Sequence, residues 1–291
     1  MAVDKYKAVT FDPTNPAEGV FTDLPAEIYH SANAVSKSLL WEFHEASTPL
    51  HFKHRKKKEA TADMEFGTVA HCAILQPDLL HAAYHLRPET YEAEIRGKLV
   101  TKPWHGSSDT CKVWIASHQD RPVMTQEQLN KLPMIRERML ALPEFGSALK
   151  TGQTEVSFFK RDEETGLMLK CRCDLVANTT DNQTWIFDPK KVQPGEANER
   201  DFGKSCATFG YHVQMMSYLA ITGASRFVFV PFDDSEPFDA CQFELDQDAQ
   251  NAGYQEWRRL LLAYAKCVKE DRWPGYLSGV RKIALPKWAG R

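Results

Sequence analysis

Apolar and polar positions change period along the chain, and the changes divide it. Between Asn33 and Ala46, Ser36 precedes Leu39, Leu40, Trp41 and Phe43, the pattern of a capped helix start. Phe66–Leu75 (FGTVAHCAIL) is small and apolar enough for a buried helix, which Pro77 stops shortly afterwards. Residues 85–115 are interrupted by Pro88, Pro103 and Gly106 and predict irregular structure, giving way to a short helix near Thr110–His118. Thr125 suits the cap of a helix over Gln126–Leu142. There Leu129, Leu132, Ile135, Met139 and Leu142 keep near-helical spacing until Pro143.

The period then shortens. Glu155–Arg161 and Leu167–Val176 are rich in β-formers and flank the turn-like Asp162-Glu-Glu-Thr-Gly166, a hairpin signature. Asn178-Thr-Thr-Asp-Asn182 predicts a second turn and Thr184–Lys190 a third strand. After Pro194 and Gly195 a helical stretch is expected from about Glu199 to Ile221. Arg226–Pro231 and Asp239–Leu245 read as strands, and Asp246–Lys269 as a long helix with Trp257, Leu260, Leu261, Tyr264 and Val268 on one side. Residues 1–25, rich in Pro, Asp and Thr, read as an irregular arm. Residues 26–291 read as one α/β domain, with a helical part over 26–150, a core over 151–270 and a tail over 271–291.

Composition narrows the classes further. A chain of 291 residues, 43% hydrophobic and 26% charged, is ordinary globular material that can bury a sizeable core. No apolar run approaches the roughly 18–20 residues of a membrane helix. The first ten residues carry Asp4, Lys5 and Lys7 and no apolar signal core, so a cytoplasmic protein without membrane contact is expected. A net charge of -3 excludes a uniform cationic coat, so nucleic-acid binding would need locally gathered basic residues. The 7 cysteines include no CxxC pair, which speaks against a disulfide framework or a structural zinc. Cys171 and Cys173, on one face of a strand, read as small packing residues.

The chemistry gathers around Asp188. Alternation on a strand turns Thr184, Ile186, Asp188 and Lys190 one way and Trp185 and Phe187 the other. Asp174 ends the preceding strand of the antiparallel pair, so a short meander can bring the two carboxylates to one ion. Hard cations such as Mg²⁺ take oxygen ligands, and the Pro189 backbone carbonyl can add to the two carboxylates. Pro189 has no N–H for a ladder, so the strand is expected to be frayed or at an edge there. The Lys190 ammonium would orient a water and stabilise charge on a phosphate. Tyr211, Gln214 and Tyr218 share one face of the next helix.

An Asp closing one strand, D-x-K on the next and QxxxY on the following helix resembles the PD-(D/E)XK nuclease superfamily in its RecB-like branch. Further segments extend the likeness in order from about residue 25 to 225: Glu27-Ile-Tyr-His-Ser31, Val35-Ser-Lys-Ser-Leu39, Phe66-Gly-Thr-Val-Ala-His71, Thr165-Gly-Leu-Met-Leu-Lys-Cys-Arg-Cys-Asp174 and Tyr211-His-Val-Gln214. Together they are similar to the RecE-type (exonuclease VIII) C-terminal nuclease domain. The resemblance implies a restriction-endonuclease-like core, a mixed sheet flanked by helices, with a helical N-terminal portion. It implies an Mg²⁺-dependent, ATP-independent 5′→3′ exonuclease on double-stranded DNA ends, with Mn²⁺ as a substitute, leaving 3′ overhangs for annealing. His71 and Glu155 would join Asp174 and Asp188 around the metal, Lys190 would be the catalytic lysine, and Gln214 and Tyr218 would orient lysine and substrate.

Expected DNA contacts are Arg172, whose guanidinium can read a terminal phosphate, Ser36 and Ser38 at a helix start, and the basic run Lys53, Arg55, Lys56, Lys57 and Lys58. Lys191 is expected to face away from Lys190 toward the DNA backbone. No nucleotide is expected, because no GxxxxGK[ST] occurs, and no iron–sulfur cluster, because clustered C-terminal cysteines are missing. The resemblance further implies a homo-oligomeric ring, a trimer or tetramer, around duplex DNA, a RecT-type annealing partner and a phage, prophage or bacterial source. Where such domains usually carry an aliphatic residue and a Thr around the lysine, this chain has Pro189 and Lys191. Two other readings therefore stay open. One is an endonuclease or single-strand-specific nuclease of the same superfamily, the other a DNA-end-binding protein on a nuclease fold impaired at Pro189.

Overall fold

The computed structural model describes residues 11–56, 60–179, 181–277, 279–286 and 288–289; Lys57 and Lys58 of the basic run and the first ten residues of the expected arm lie outside them. The chain begins with β1 (Gly19–Phe21), α1 (Ala26–Ser31), α2 (Lys37–Glu45), α3 (Pro49–Lys53) and α4 (Ala62–Leu75). Next come β2 (His85–Leu86), β3 (Thr90–Ile95), β4 (Lys98–Pro103), α5 (Asp109–Ala116), β5 (Val123–Met124), α6 (Gln126–Ala141) and α7 (Pro143–Thr151). The remainder is β6 (Gln153–Arg161), β7 (Met168–Asn178), β8 (Thr184–Lys191), α8 (Glu199–Thr208), α9 (Tyr211–Thr222), β9 (Arg226–Phe232) and α10 (Gln247–Glu270). No helix among the described residues is long and apolar enough to cross a membrane.

Five strands form the main sheet in the order β1-β6-β7-β8-β9, antiparallel except for the parallel pair β8/β9. That parallel pair needs a crossover, which α8 and α9 supply. Cys171, Cys173, Ile186, Phe227 and Phe229 pack on one side against Val213 and Met215 of α9 and Leu260 and Leu261 of α10. Leu175, Phe187, Val228 and Val230 pack on the other against Phe66, Val69 and Ala70 of α4, Leu132 and Ile135 of α6 and Phe145 of α7. Ile186 and Phe187 thus go to opposite layers, as their alternation predicts. The mixed sheet between helical layers has the architecture expected from the sequence.

Several elements differ from the sequence reading. The expected arm contributes β1, and Phe11 packs with Phe21 and Phe159, so burial of aromatic surface ties its second half to the sheet. Residues 90–103 form a regular hairpin, β3 with β4, where an irregular run was expected. Its strands are mostly solvated, so no apolar alternation marks them. Asp239–Leu245 makes only isolated bridges, Phe243 to Phe229 and Ala240 to Phe232. The helical stretch from Glu199 is two helices, broken at Phe209 and Gly210, whose φ is 64°.

The sheet forks where the site lies. β8 pairs with β7 only over Thr184–Phe187 and then continues with β9 alone to Lys191. The N-terminal half of β7 keeps β6, and its freed edge takes Val35, whose N–H donates to the Met168 carbonyl (2.8 Å) and whose carbonyl accepts from Lys170 (2.9 Å). Asp174 and Asp188 stand at the parting of the strands. Glu155, in register opposite Asp174, has a φ of 57°, a left-handed conformation uncommon outside Gly. Across this kink the buried side of β7 switches from Cys171 and Cys173 on the α9 layer to Leu175 and Ala177 on the α4 layer.

Candidate active site

Each group at the fork is set by a different element. Thr61 caps α4, accepting from the Met64 N–H at 3.3 Å. At Gly67 this helix lies against β8, with the Lys191 Cβ 3.9 Å from where a Gly67 Cβ would stand, an ordinary van der Waals contact. One turn further, His71 reaches the fork. Its Nε2 lies 2.8 Å from the Pro189 carbonyl, and its Nδ1 lies 3.6 Å from Asp174 Oδ2. From the opposite layer, Gln214 sits one turn into α9 and its Nε2 donates to Asp188 Oδ1 at 2.7 Å. Lys190 forms an ion pair with Asp188 Oδ2 on the same strand.

Pro189 fits this place without loss. A strand residue aims its N–H and carbonyl to the same side, and the Pro189 carbonyl faces His71, away from β9. The missing N–H therefore points into the fork, where β7 no longer pairs. The expected edge is internal to the sheet, made by the parting of strands.

Electrostatics mark the fork as strained toward positive charge. Asp188 is 2% exposed. Burial and the neighbouring Asp188 carboxylate push the Asp174 carboxyl well above the usual carboxylate range. Burial disfavours the Lys190 ammonium, yet Asp188 and Asp174 outweigh it and hold its pKa above the ordinary lysine value. Burial and then Lys190 lower the His71 imidazole, keeping it neutral. A carbonyl only accepts, so the His71 Nε2 carries the proton and Nδ1 presents a lone pair toward Asp174.

Does this donor set fit a divalent cation? Asp188 Oδ2 is buried and meets only the Lys190 ammonium among the described residues, in a close ion pair that leaves the oxygen without a well-formed hydrogen bond. Two repelling carboxylates, an imidazole lone pair and a carbonyl with one lone pair to spare are oxygen-rich ligands of the kind Mg²⁺ takes. Among the described residues no three His, Cys, Asp or Glu side chains already form an ion-holding cluster. The chemistry of the donors fits. The His71 contribution is corrected in one respect: Nε2 is spent on Pro189, leaving Nδ1 as the only nitrogen that can ligate.

The other expected residues divide. Glu155 stands behind Asp174 but pairs with Arg172, whose Nε donates to it at 2.5 Å, and Arg172 Nη1 donates to the Leu24 carbonyl at 2.8 Å. Arg172 is thus a strut between strands rather than an open phosphate fork. Lys191, 8% exposed at its side chain, pairs with Asp63 and lies 3.6 Å from Asp234, so it does not face a DNA backbone. Lys53 pairs with Asp271 at 2.9 Å and Arg55 with Glu42 at 2.6 Å; only Lys56 of the described basic run is left exposed without such a pair. Ser36 caps α2, accepting from the Leu39 N–H at 3.3 Å, and Ser38 is exposed beside it. Both line a cleft of about 770 Å³ along the freed edge of β7, together with Lys37, Arg55, Lys170 and Tyr218.

Tyr218 does not meet Lys190. Its ring packs against Phe227, with centroids 5.8 Å apart, and burial raises its phenol well above the usual range. Tyr211 takes the expected place, with the Lys190 ammonium 5.2 Å from its ring centroid. Lys37 was also missed. The helical spacing carried Tyr211, but Lys37 sits between two serines that drew attention as polar cap residues, and no local signal marks its ammonium.

Gln214→Ala removes the side-chain amide that donates to Asp188 Oδ1. A buried carboxylate oxygen left without its donor costs roughly 1–3 kcal/mol. The thermal midpoint is expected to fall by roughly 2–10 °C. An unchanged midpoint would mean that Asp188 does not depend on Gln214.

A family model described as "PDDEXK-like domain of unknown function (DUF3799)" matches residues 36–283. Among solved structures, a Eubacterium rectale protein provisionally described as an exonuclease is similar, with a TM-score of 0.53 and 14% identity over 90% of this chain and 96% of that one. A phage related exonuclease from Haemophilus somnus 129PT matches more loosely, with a TM-score of 0.30 and 11% identity over 75% of this chain and 98% of that one. No curated protein matches in sequence.

Proposed function

The chain belongs to the PDDEXK-like family DUF3799, and on that footing we propose that it is a metal-dependent nuclease, an exonuclease acting 5′→3′ on double-stranded DNA ends. The observation that carries the reading is the convergence of Asp174, Asp188 and Lys190 at the fork, with Gln214 fixing Asp188. Asp174, Asp188, the Pro189 carbonyl and His71 Nδ1 would hold Mg²⁺, or Mn²⁺ in its place. When bound, the ion would supply an acidified water and neutralise charge on the phosphate. Asp188, fixed by Gln214 and Lys190, keeps one orientation while the reaction proceeds. Lys190, held protonated by the two acids, donates hydrogen bonds to the attacking oxygen or to a phosphate oxygen as negative charge develops there. His71 anchors β8 through the Pro189 carbonyl.

The reading of an impaired fold finds no support at Pro189, because the proline forfeits no ladder bond. The ring of three or four copies, the RecT-type annealing partner and a cytoplasmic setting remain part of the proposal, as the resemblance implies them.

The test is digestion of linear duplex labelled at either end, with Mg²⁺ or with EDTA. Mononucleotide release from the 5′ label, only with metal and with closed circular duplex left intact, is the expected result. Cutting of the closed circle would favour an endonuclease. Inertness on every DNA with both Mg²⁺ and Mn²⁺ would favour a binding protein.

A further inference from the structure

Among the described residues Lys37 is an ammonium without an ion-pair partner, next to the candidate active site. Its Nζ donates to the Phe209 carbonyl at 2.5 Å and lies 5.1 Å from the Trp41 ring centroid and 5.8 Å from that of Tyr211. Lys190 approaches the same Tyr211 ring at 5.2 Å, so the two ammoniums share one aromatic neighbour. Among the described residues no carboxylate lies within ion-pair distance of Lys37; Asp188 and Glu45 act on it only from afar. Lys170, a buried lysine bordering the same cleft, differs in kind. Its three protons are used on the carbonyls of Tyr29, His30 and Ala32 at 2.8, 3.2 and 2.8 Å, capping α1. Lys37 makes one such bond and has protons to spare, and the residue also borders the 770 Å³ cleft.

The Phe209 carbonyl at the end of α8 and the two rings stabilise the ammonium locally, but none of them carries a full negative charge. Lys37 is the first residue of α2, the end where the helix dipole disfavours a cation. An ammonium taken partly out of water, beside a second ammonium, is costly unless an anion completes it. Burial, and then Lys190, lower its pKa to about 8. Anions of the matching chemistry are the backbone phosphates of the nucleic acid that the proposed function brings to Lys190.

We propose that Lys37 is a phosphate-binding residue of this site, its ammonium donating to a non-bridging oxygen of a DNA backbone phosphate bound beside the Tyr211 ring that Lys190 also approaches. The inference rests on the nuclease reading above. It is tested by equilibrium binding of a short fluorescent duplex in EDTA, across a salt series, by wild type, Lys37→Gln and Lys37→Arg. Gln keeps a donor for the Phe209 carbonyl and removes the charge; thermal midpoints check that both variants fold.

Lys37→Gln is expected to bind about tenfold more weakly, with the slope of log K against log salt shallower by about one, while Lys37→Arg stays close to wild type. Between pH 7 and 9 wild type loses affinity as the ammonium gives up its proton, and Lys37→Arg does not. The groups facing Lys37 in that range are Glu45 on α2, Tyr211 on α9 and Asp188 and Lys190 on β8, and all are common to the three proteins. Wild-type affinity and slope in Lys37→Gln, or an arginine variant as weak as the glutamine one, overturns the proposal. Metal-dependent digestion by wild type is scored separately. Digestion with an unaffected Lys37→Gln refutes the Lys37 role alone, whereas a Lys37 effect on binding without digestion refutes the nuclease reading and leaves the phosphate site standing.

Discussion

On the proposed function, Asp188→Asn is expected to abolish metal-dependent digestion of linear duplex, by about 10³-fold or more, because the carboxylate would hold the metal and is the partner of Lys190. The change is nearly isosteric, so packing against α9 survives. Its electrostatic effect is large. Asp188 Oδ1 accepts from Gln214 and Oδ2 meets the Lys190 ammonium; an amide there must turn its NH₂ against one of two donors. Breaking a buried charge pair costs about 3–5 kcal/mol, so the thermal midpoint should fall as well. The double variant Asp188→Asn/Lys190→Met removes the stranded cation and should regain stability without regaining activity. Its residual rate should match that of Asp188→Asn alone, since groups acting as one unit are not additive. A single Asp188→Asn variant that keeps a tenth of wild-type activity, with contaminating nuclease excluded by the Lys190→Ala preparation, would place the chemistry elsewhere.

The acids and the lysine were legible because a strand has a strict period of two. D-x-K on a strand must put both side chains on one face, and the Asp188–Lys190 pair follows from that alone. Gln214 was singled out on its shared helix face, but as a partner of the lysine; that it holds Asp188 instead depends on how α9 sits against β8. What could not be read was anything that depends on where strands stop pairing. Pro189 announced an edge, yet that edge arises from β8 leaving β7 after Phe187, a tertiary event with no local sequence mark. The same fork admits Val35 and thereby brings Lys37 beside Lys190. Charge partners were similarly hidden. Arg172 and Lys191 looked like open cations because Glu155 and Asp63 are 17 and 128 residues away along the chain. On α9 the spacing gave a shared face but not its rotation about the helix axis, so Tyr218 was favoured where Tyr211 makes the contact.

Gly210→Ala is expected to destabilise the protein by roughly 2–4 kcal/mol, lowering the thermal midpoint by roughly 5–15 °C. Two effects combine. Gly210 has a φ of 64°, which costs a side chain about 1 kcal/mol. A Cβ there would also stand 2.4 Å from Trp41 Cε3, inside the reach of any real contact. Trp41 cannot withdraw freely, since its ring lies against His44, with centroids 4.5 Å apart, and under the Lys37 ammonium. This glycine makes the break between α8 and α9 that an unbroken helical reading of Glu199–Ile221 overlooks. The turn sets the start of α9 and hence the reach of Gln214 to Asp188, so activity should fall with stability. Gly203→Ala is the control. It lies inside α8 with nothing within 4 Å of the added Cβ, and alanine there should be neutral or stabilise by about 0.5–1 kcal/mol. Equal midpoints for the two variants would mean that the chain closes from α8 to α9 without the left-handed glycine, and the placement of Gln214 would need another cause.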